Sequence, residues 1–99
     1  MAVKAISEFT IQPGRRDDFV RLFESLVAEH MESVRAAGCR SAILHVVVDD
    51  PDRAVEIAEW DTAEAREEML RSEAAMSAFA PLFELMAAPP NSTVVEPLR

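Results

Sequence analysis

The chain has 99 residues, 49% of them hydrophobic and 28% charged, and a net charge of −8. That length fits one domain, residues 1–99, with a modest core, and the composition argues against disorder. The acidic balance disfavours a nucleic-acid partner, whose phosphates need cations, and equally disfavours adsorption to anionic lipid.

Cys39 is the only cysteine, so no intrachain disulfide and no thiolate zinc site can form, and a buried structural thiol is expected. The N-terminal stretch lacks the apolar run of a signal peptide, and no segment approaches the roughly 20 apolar residues of a membrane helix. A cytoplasmic protein is the expectation.

Residues 3–11, VKAISEFTI, alternate as a strand does, with apolar side chains on both faces, and QPG at 12–14 stops them. Residues 15–37 predict a helix. Phe19, Leu22, Phe23, Leu26, Val27, His30 and Val34 recur at three and four and form one stripe. Asp17 and Asp18 suit the positive end of its dipole, and Gly38 follows as a left-handed stop.

CRSAILHVVV at 39–48 is a continuous β-branched run, the pattern of a strand covered on both faces. DDPDR at 49–53 turns the chain into the next strand, 54–60, giving a hairpin with a five-residue connection. Asp61 offers an N-cap, with Glu64 completing a capping box. Helix follows to about Arg71, and Ser72 is positioned to re-cap it. The Glu-Arg spacing of DTAEAREE suits a solvated helix face. Phe79, Leu82, Phe83 and Met86 continue at helical spacing, and Pro81 predicts two short helices here rather than one. TVVEPL at 93–98 reads as a short edge strand because of Pro97.

The order β-α-β-β-α-β is the ferredoxin-like α+β arrangement, an antiparallel four-stranded sheet with helices on one face. The apolar strand ILHVVV would leave the other face greasy, so a second copy of the chain is expected to cover it, making a homodimer.

The stretches IQPGRRDDFVRLF, AAGCRSAILH and DDPDRAVEIAEWDTAEA resemble, in order and spacing, the antibiotic biosynthesis monooxygenase (ABM) family of dimeric α+β barrels. The likeness runs from about residue 3 to residue 97. It implies oxidation of a quinol, anthrone or related polyketide-like aromatic by O₂, without metal or flavin. Trp60 matches the family's pocket tryptophan. Many members carry a His nine residues beyond it, where this chain has Met69. Anthrone oxygenases carry Asn four before and Tyr six after, where this chain has Glu56 and Arg66. Haem-degrading relatives carry a His ten residues after it and an Asn on the first strand, where this chain has Leu70 and Ser7. Haem degradation is therefore not expected.

The candidate residues follow. Trp60 is either core filler at a strand-to-helix junction or the wall of a pocket for a planar substrate. His30, on the apolar stripe, is the expected general base, with Trp60 beside the chemistry. Phe23, Leu26, Met69, Phe79 and Phe83 are expected walls, and Arg35 or a backbone N–H the stabiliser of developing charge. His45 shares a strand face with Ile43 and Val47, facing either the helices or the dimer interior. Glu56 shares the Trp60 face and is either ion-paired or a proton acceptor with a raised pKa, while Glu59 lies opposite. His30 and His45 lack a third ligand, so no metal site is expected. The same pocket would also serve a cyclase or isomerase, or a non-catalytic ligand-binding dimer.

Overall fold

The computed structural model describes residues 1–99. The chain runs β1 (Val3–Thr10), α1 (Arg16–Ala36), β2 (Cys39–Val46), β3 (Arg53–Trp60), α2 (Ala63–Arg71), α3 (Glu73–Phe83) and β4 (Asn91–Val95). The four strands form one antiparallel sheet in the order β2-β3-β1-β4. This is the ferredoxin-like α+β fold that the order of elements predicts.

The alternation in β1 is read directly by burial: Val3, Ala5, Ser7 and Phe9 are buried beneath the helices, while Lys4, Glu8 and Thr10 are exposed. On β3 the same face carries Ala54, Glu56, Ala58 and Trp60, set against β1 in the register Phe9–Ala54, Ser7–Glu56, Ala5–Ala58 and Val3–Trp60. Two groups of buried side chains result. One joins Phe9, Ile11, Phe19, Phe23, Leu26, Ala54 and Leu82. The other joins Val3, Ala5, Cys39, Ala58 and Trp60 at the opposite end of the strands. Phe9 and Phe19 meet with ring centroids 5.2 Å apart, so aromatic packing anchors the start of α1 to the sheet.

Several details differ from expectation or add to it. β2 is an edge strand, and within one chain no element covers its second face. Ile43 is 59% and Val46 50% exposed. Its unbroken apolar run serves two unlike surroundings: Leu44 packs under the helices, and Ile43 pairs with Ile57 on the open face. α2 is capped by Thr62, whose hydroxyl accepts from the Ala65 N–H at 3.0 Å, rather than by Asp61. Asp61 instead pairs with Arg40 at 2.6 Å and donates its N–H to the Gly38 carbonyl. The break between α2 and α3 falls at Ser72, which caps α3 through the Ala75 N–H, and Pro81 lies inside α3 near its end. There its missing N–H costs one helical bond two residues before the helix stops. β4 covers 91–95, so Pro97 lies beyond it, while its place at the sheet edge is as expected.

The chain end of α1 turns on Gly38, at φ +114°, a region closed to most side chains. A Cβ there would also stand 3.1 Å from the Ala65 Cβ, so α2 packs directly against this turn. The connection between β2 and β3 is six residues, 47–52. Arg16 fastens it by donating to the carbonyls of Val47 and Asp50. No helix is long and apolar enough to cross a membrane.

Candidate active site

Across the middle of the sheet, on its helix-covered face, the registers place Leu44, Glu56, Ser7 and Ser92 in one row. The Ser7 and Ser92 hydroxyls share a hydrogen bond of 2.9 Å. Glu56 has no hydrogen bond and no ion pair. Burial pushes its carboxyl above the usual range, because water no longer solvates the anion. The Arg66 charge on α2 opposes that rise without cancelling it.

Above this row lies a cavity of about 480 Å³, within the roughly 300–1,000 Å³ typical of small-molecule sites. Eighteen of its 26 lining residues are hydrophobic, so its polar groups are few and specific. Trp60 borders it and is only 4% exposed, held among Val3, Ala5, Cys39 and Ala58. The indole is thus both core and wall: one part stabilises the strand end and another is presented to the hollow. Phe9, Phe23, Phe79 and Leu82 close the far end, where α1 and α3 converge.

Phe23, Glu56, Trp60, Met69, Phe79 and Phe83 are brought together around this space. Leu26, His30 and His45 are not. From α1 the cavity receives Phe23, Val27, Met31 and Val34, a row that steps by four, four and three. Leu26 and His30 belong to the neighbouring row. Leu26 is buried in the core, and the His30 ring stands 5.9 Å from that of Phe79. His30 lines a second cleft of about 490 Å³ between α1 and the α2–α3 pair, and is not among the residues around the main cavity. His45 pairs with Val55 and alternates with the core-packed Leu44, so it points away from the helices. With the two histidines apart, no three His, Cys, Asp or Glu side chains gather as a metal-ligand set.

Arg66 and Ser92 line the cavity without having been singled out as site residues. A signal for Arg66 was present: its helical neighbours at three and four residues are Thr62, Ala63, Met69 and Leu70, none acidic. The intrahelical pair in α2 is Arg71 with Glu67 instead, at 3.9 Å. Glu59, on the opposite strand face, pairs with Arg40 at 3.7 Å. Cys39 also lines the cavity. Its thiol faces the Ser41 carbonyl at 3.4 Å, and burial, reinforced by the Glu56 charge, raises its pKa and keeps it protonated.

A ferredoxin-like sheet with an apolar cavity under its helices defines an α+β protein with a candidate small-molecule site. The sequence pattern of the antibiotic biosynthesis monooxygenase family matches residues 2–81, and the chain belongs to that family. No curated protein sequence matches it. Among solved structures, a Bordetella bronchiseptica protein named for the same family superposes with a TM-score of 0.86 at 23% identity, over 99% of this chain and 98% of the other. Rv0793 from Mycobacterium tuberculosis matches at 26% identity and a TM-score of 0.76, over 100% and 97%. SnoaB, a cofactor-independent oxygenase from Streptomyces nogalater solved as a point variant, matches at 18% identity and a TM-score of 0.77, over 99% and 94%.

Proposed function

We propose that this protein is a cofactor-independent monooxygenase that oxidises an electron-rich aromatic, a quinol, anthrone or related polyketide-like molecule, with O₂ as co-substrate. The observation that carries the reading is the Glu56 carboxyl, unpaired and raised in pKa, at the floor of an apolar cavity bordered by Trp60. Family membership and the likeness to an oxygenase fold support it. Glu56 takes the role of base that the sequence pointed to in His30. A carboxylate destabilised by its surroundings is a stronger proton acceptor than an exposed one.

An anthrone would react at the methylene of its central ring. A C–H bond of the central ring breaks and its proton goes to Glu56. The carbanion passes one electron to O₂, giving a carbon radical and superoxide. These combine in a C–O bond. The remaining C–H proton and the O–O bond are then lost together as hydroxide leaves, and hydroxide takes up the proton first abstracted. The net change is a methylene plus O₂ to a carbonyl plus water. The predominantly apolar walls disfavour solvent that would quench the carbanion, and the Arg66 charge lies close enough to Glu56 to favour an oxyanion nearby.

The active form in this reading is a two-fold homodimer. The helix-free sheet face exposes Ile43 and Ile57 beside Val55 and His45, and burying them against a second copy removes apolar surface from water. The test is oxygen consumption by the purified protein with a panel of quinols and anthrones, run under air and under nitrogen. One O₂ consumed per substrate, lowered about 100-fold or more by Glu56→Gln, is expected of a general base. Turnover unchanged under nitrogen would replace the reading with a cyclase or isomerase. Absence of turnover on every substrate would leave a binding protein.

A further inference from the structure

Two of the three arginines lining the cavity, Arg35 and Arg66, make no ion pair, and the only charge set against either is that of Glu56 on Arg66. Arg15 and Arg21 pair with Asp18, Arg40 with Asp61 and Glu59, Arg53 with Glu8, and Arg71 with Glu67. Arg16 is held by two backbone carbonyls. Apart from the C-terminal Arg99, the arginines without an acid or carbonyl partner are Arg35 and Arg66, and both line the same cavity. In a chain with 18 acidic residues this coincidence needs a cause. Arg35, in the last turn of α1, has a partial one in the helix dipole. Arg66, in the middle of α2 and half-buried, has none.

Both arginines line the cavity that Trp60 borders, and Val34 and Met69, near them on α1 and α2, pack against the Trp60 cluster. The one carboxyl group in the cavity, Glu56, makes no ion pair with either. A guanidinium drawn partly out of water loses hydration, and only an opposite charge with matching geometry returns it. A carboxylate accepts the two parallel N–H groups of a guanidinium in one plane. A doubly charged group such as a phosphate would face more repulsion from Glu56 when that residue ionises.

We infer that the cavity takes a planar aromatic ligand bearing a carboxylate, with Arg66 as the anchor for that group, Arg35 as the second cation, and the ring system against Trp60 and the phenylalanine walls. The inference rests on the cavity being the aromatic-binding site, as proposed above, and names the ligand class it selects. In a protein of net charge −8 the two arginines also supply the local attraction without which an acid would be repelled from the mouth.

The single tryptophan provides the readout. Quenching of Trp60 fluorescence is titrated with 9,10-anthraquinone-2-carboxylate and, separately, with its neutral methyl ester, neither of which can be oxidised further at the central ring. The acid is expected to bind about 10-fold or more tightly than the ester, the size of one charge-assisted contact. Arg66→Gln should remove that preference while leaving ester affinity within about twofold, and Arg66→Lys should retain part of it. Arg35→Gln, at a site exposed on the last turn of α1, gives a second and smaller loss should the Arg66 variants fail to fold. Equal binding of acid and ester by the native protein, or parallel loss of both in Arg66→Gln, overturns the inference. So does failure of both ligands to bind. Acid preference without oxygen consumption on any substrate would leave the inference standing and remove the monooxygenase reading. Oxygen consumption on neutral quinols with no acid preference would do the reverse.

Discussion

Glu56 stands directly across the β3–β1 register from Ser7, yet no hydrogen bond joins them, because the Ser7 hydroxyl is bonded to Ser92 on its other side. The carboxyl is therefore left to the cavity, and its raised pKa follows from burial alone, tempered by Arg66. Two pH effects follow with opposite signs. As the base, Glu56 must be ionised, so kcat/KM is expected to fall as pH drops through its raised pKa, and Arg66→Gln should move that limb to higher pH. Oxygen-electrode rates across pH 5–9 (roughly the stability range of such domains) check both.

Stability responds the other way. The folded state holds the Glu56 proton more tightly than the unfolded chain does. This group's contribution is therefore intact below the ordinary carboxylate range and is lost as pH rises through the raised value. Glu56→Gln is expected to melt higher than the native protein at pH 8, with the difference closing toward about pH 4. Equal melting temperatures at both pH values would mean that the carboxyl is solvated in the folded protein.

His30→Ala is expected to keep oxygen consumption within about twofold of the native rate, since its ring stands beside Phe79 in the second cleft and not among the residues lining the first. A loss comparable to that of Glu56→Gln would return the role of base to the histidine.

Gly38→Ala is expected to cost about 1–2 kcal/mol or more in urea unfolding, combining a forbidden backbone angle with a Cβ pressed against Ala65. Gly14→Ala is the control. Its φ of +77° is also strained, but nothing lies within 4 Å of the added atom, so its cost should be the smaller of the two.

Ile57→Asp places a charge on the helix-free sheet face, where Ile57 is 36% exposed and pairs with Ile43. Sedimentation at micromolar concentration should show a dimer for the native chain and a monomer for this variant. A native protein that sediments as a monomer would remove the dimer from the proposed function.

The architecture was readable because periodicity reports it directly. The alternation of β1, the stripe of α1 and the parity that sets Glu56 beside Trp60 each match the structure. What periodicity does not report is how a broad apolar stripe is divided. Phe23, Val27 and Met31 face the cavity while Leu26 and His30, one row over, face the core and α3, and nothing in the spacing separates the two. The edge position of β2 was hidden for a related reason. Burial by helices and expected burial by a second subunit write the same apolar letters, and only strand order tells them apart. Asp61 was drawn away from its cap by Arg40, a partner 21 residues distant that local patterns cannot foresee.

The tail of α3 is stitched to the strand it crosses. The Gln12 N–H reaches the Leu85 carbonyl, the Ala87 N–H reaches the Thr10 carbonyl, and the Gln12 side-chain amide reaches the Glu84 carbonyl. From Thr62 to Phe83, by contrast, no hydrogen bond leaves either helix for the sheet. The α2–α3 pair is thus tied by hydrogen bonds only at its two outer ends, at Asp61 before α2 and at residues 84–87 after α3, and held between them by packing. The Ser72 corner, midway between the two ties, is therefore the part of the helical layer whose displacement breaks no backbone hydrogen bond of the sheet.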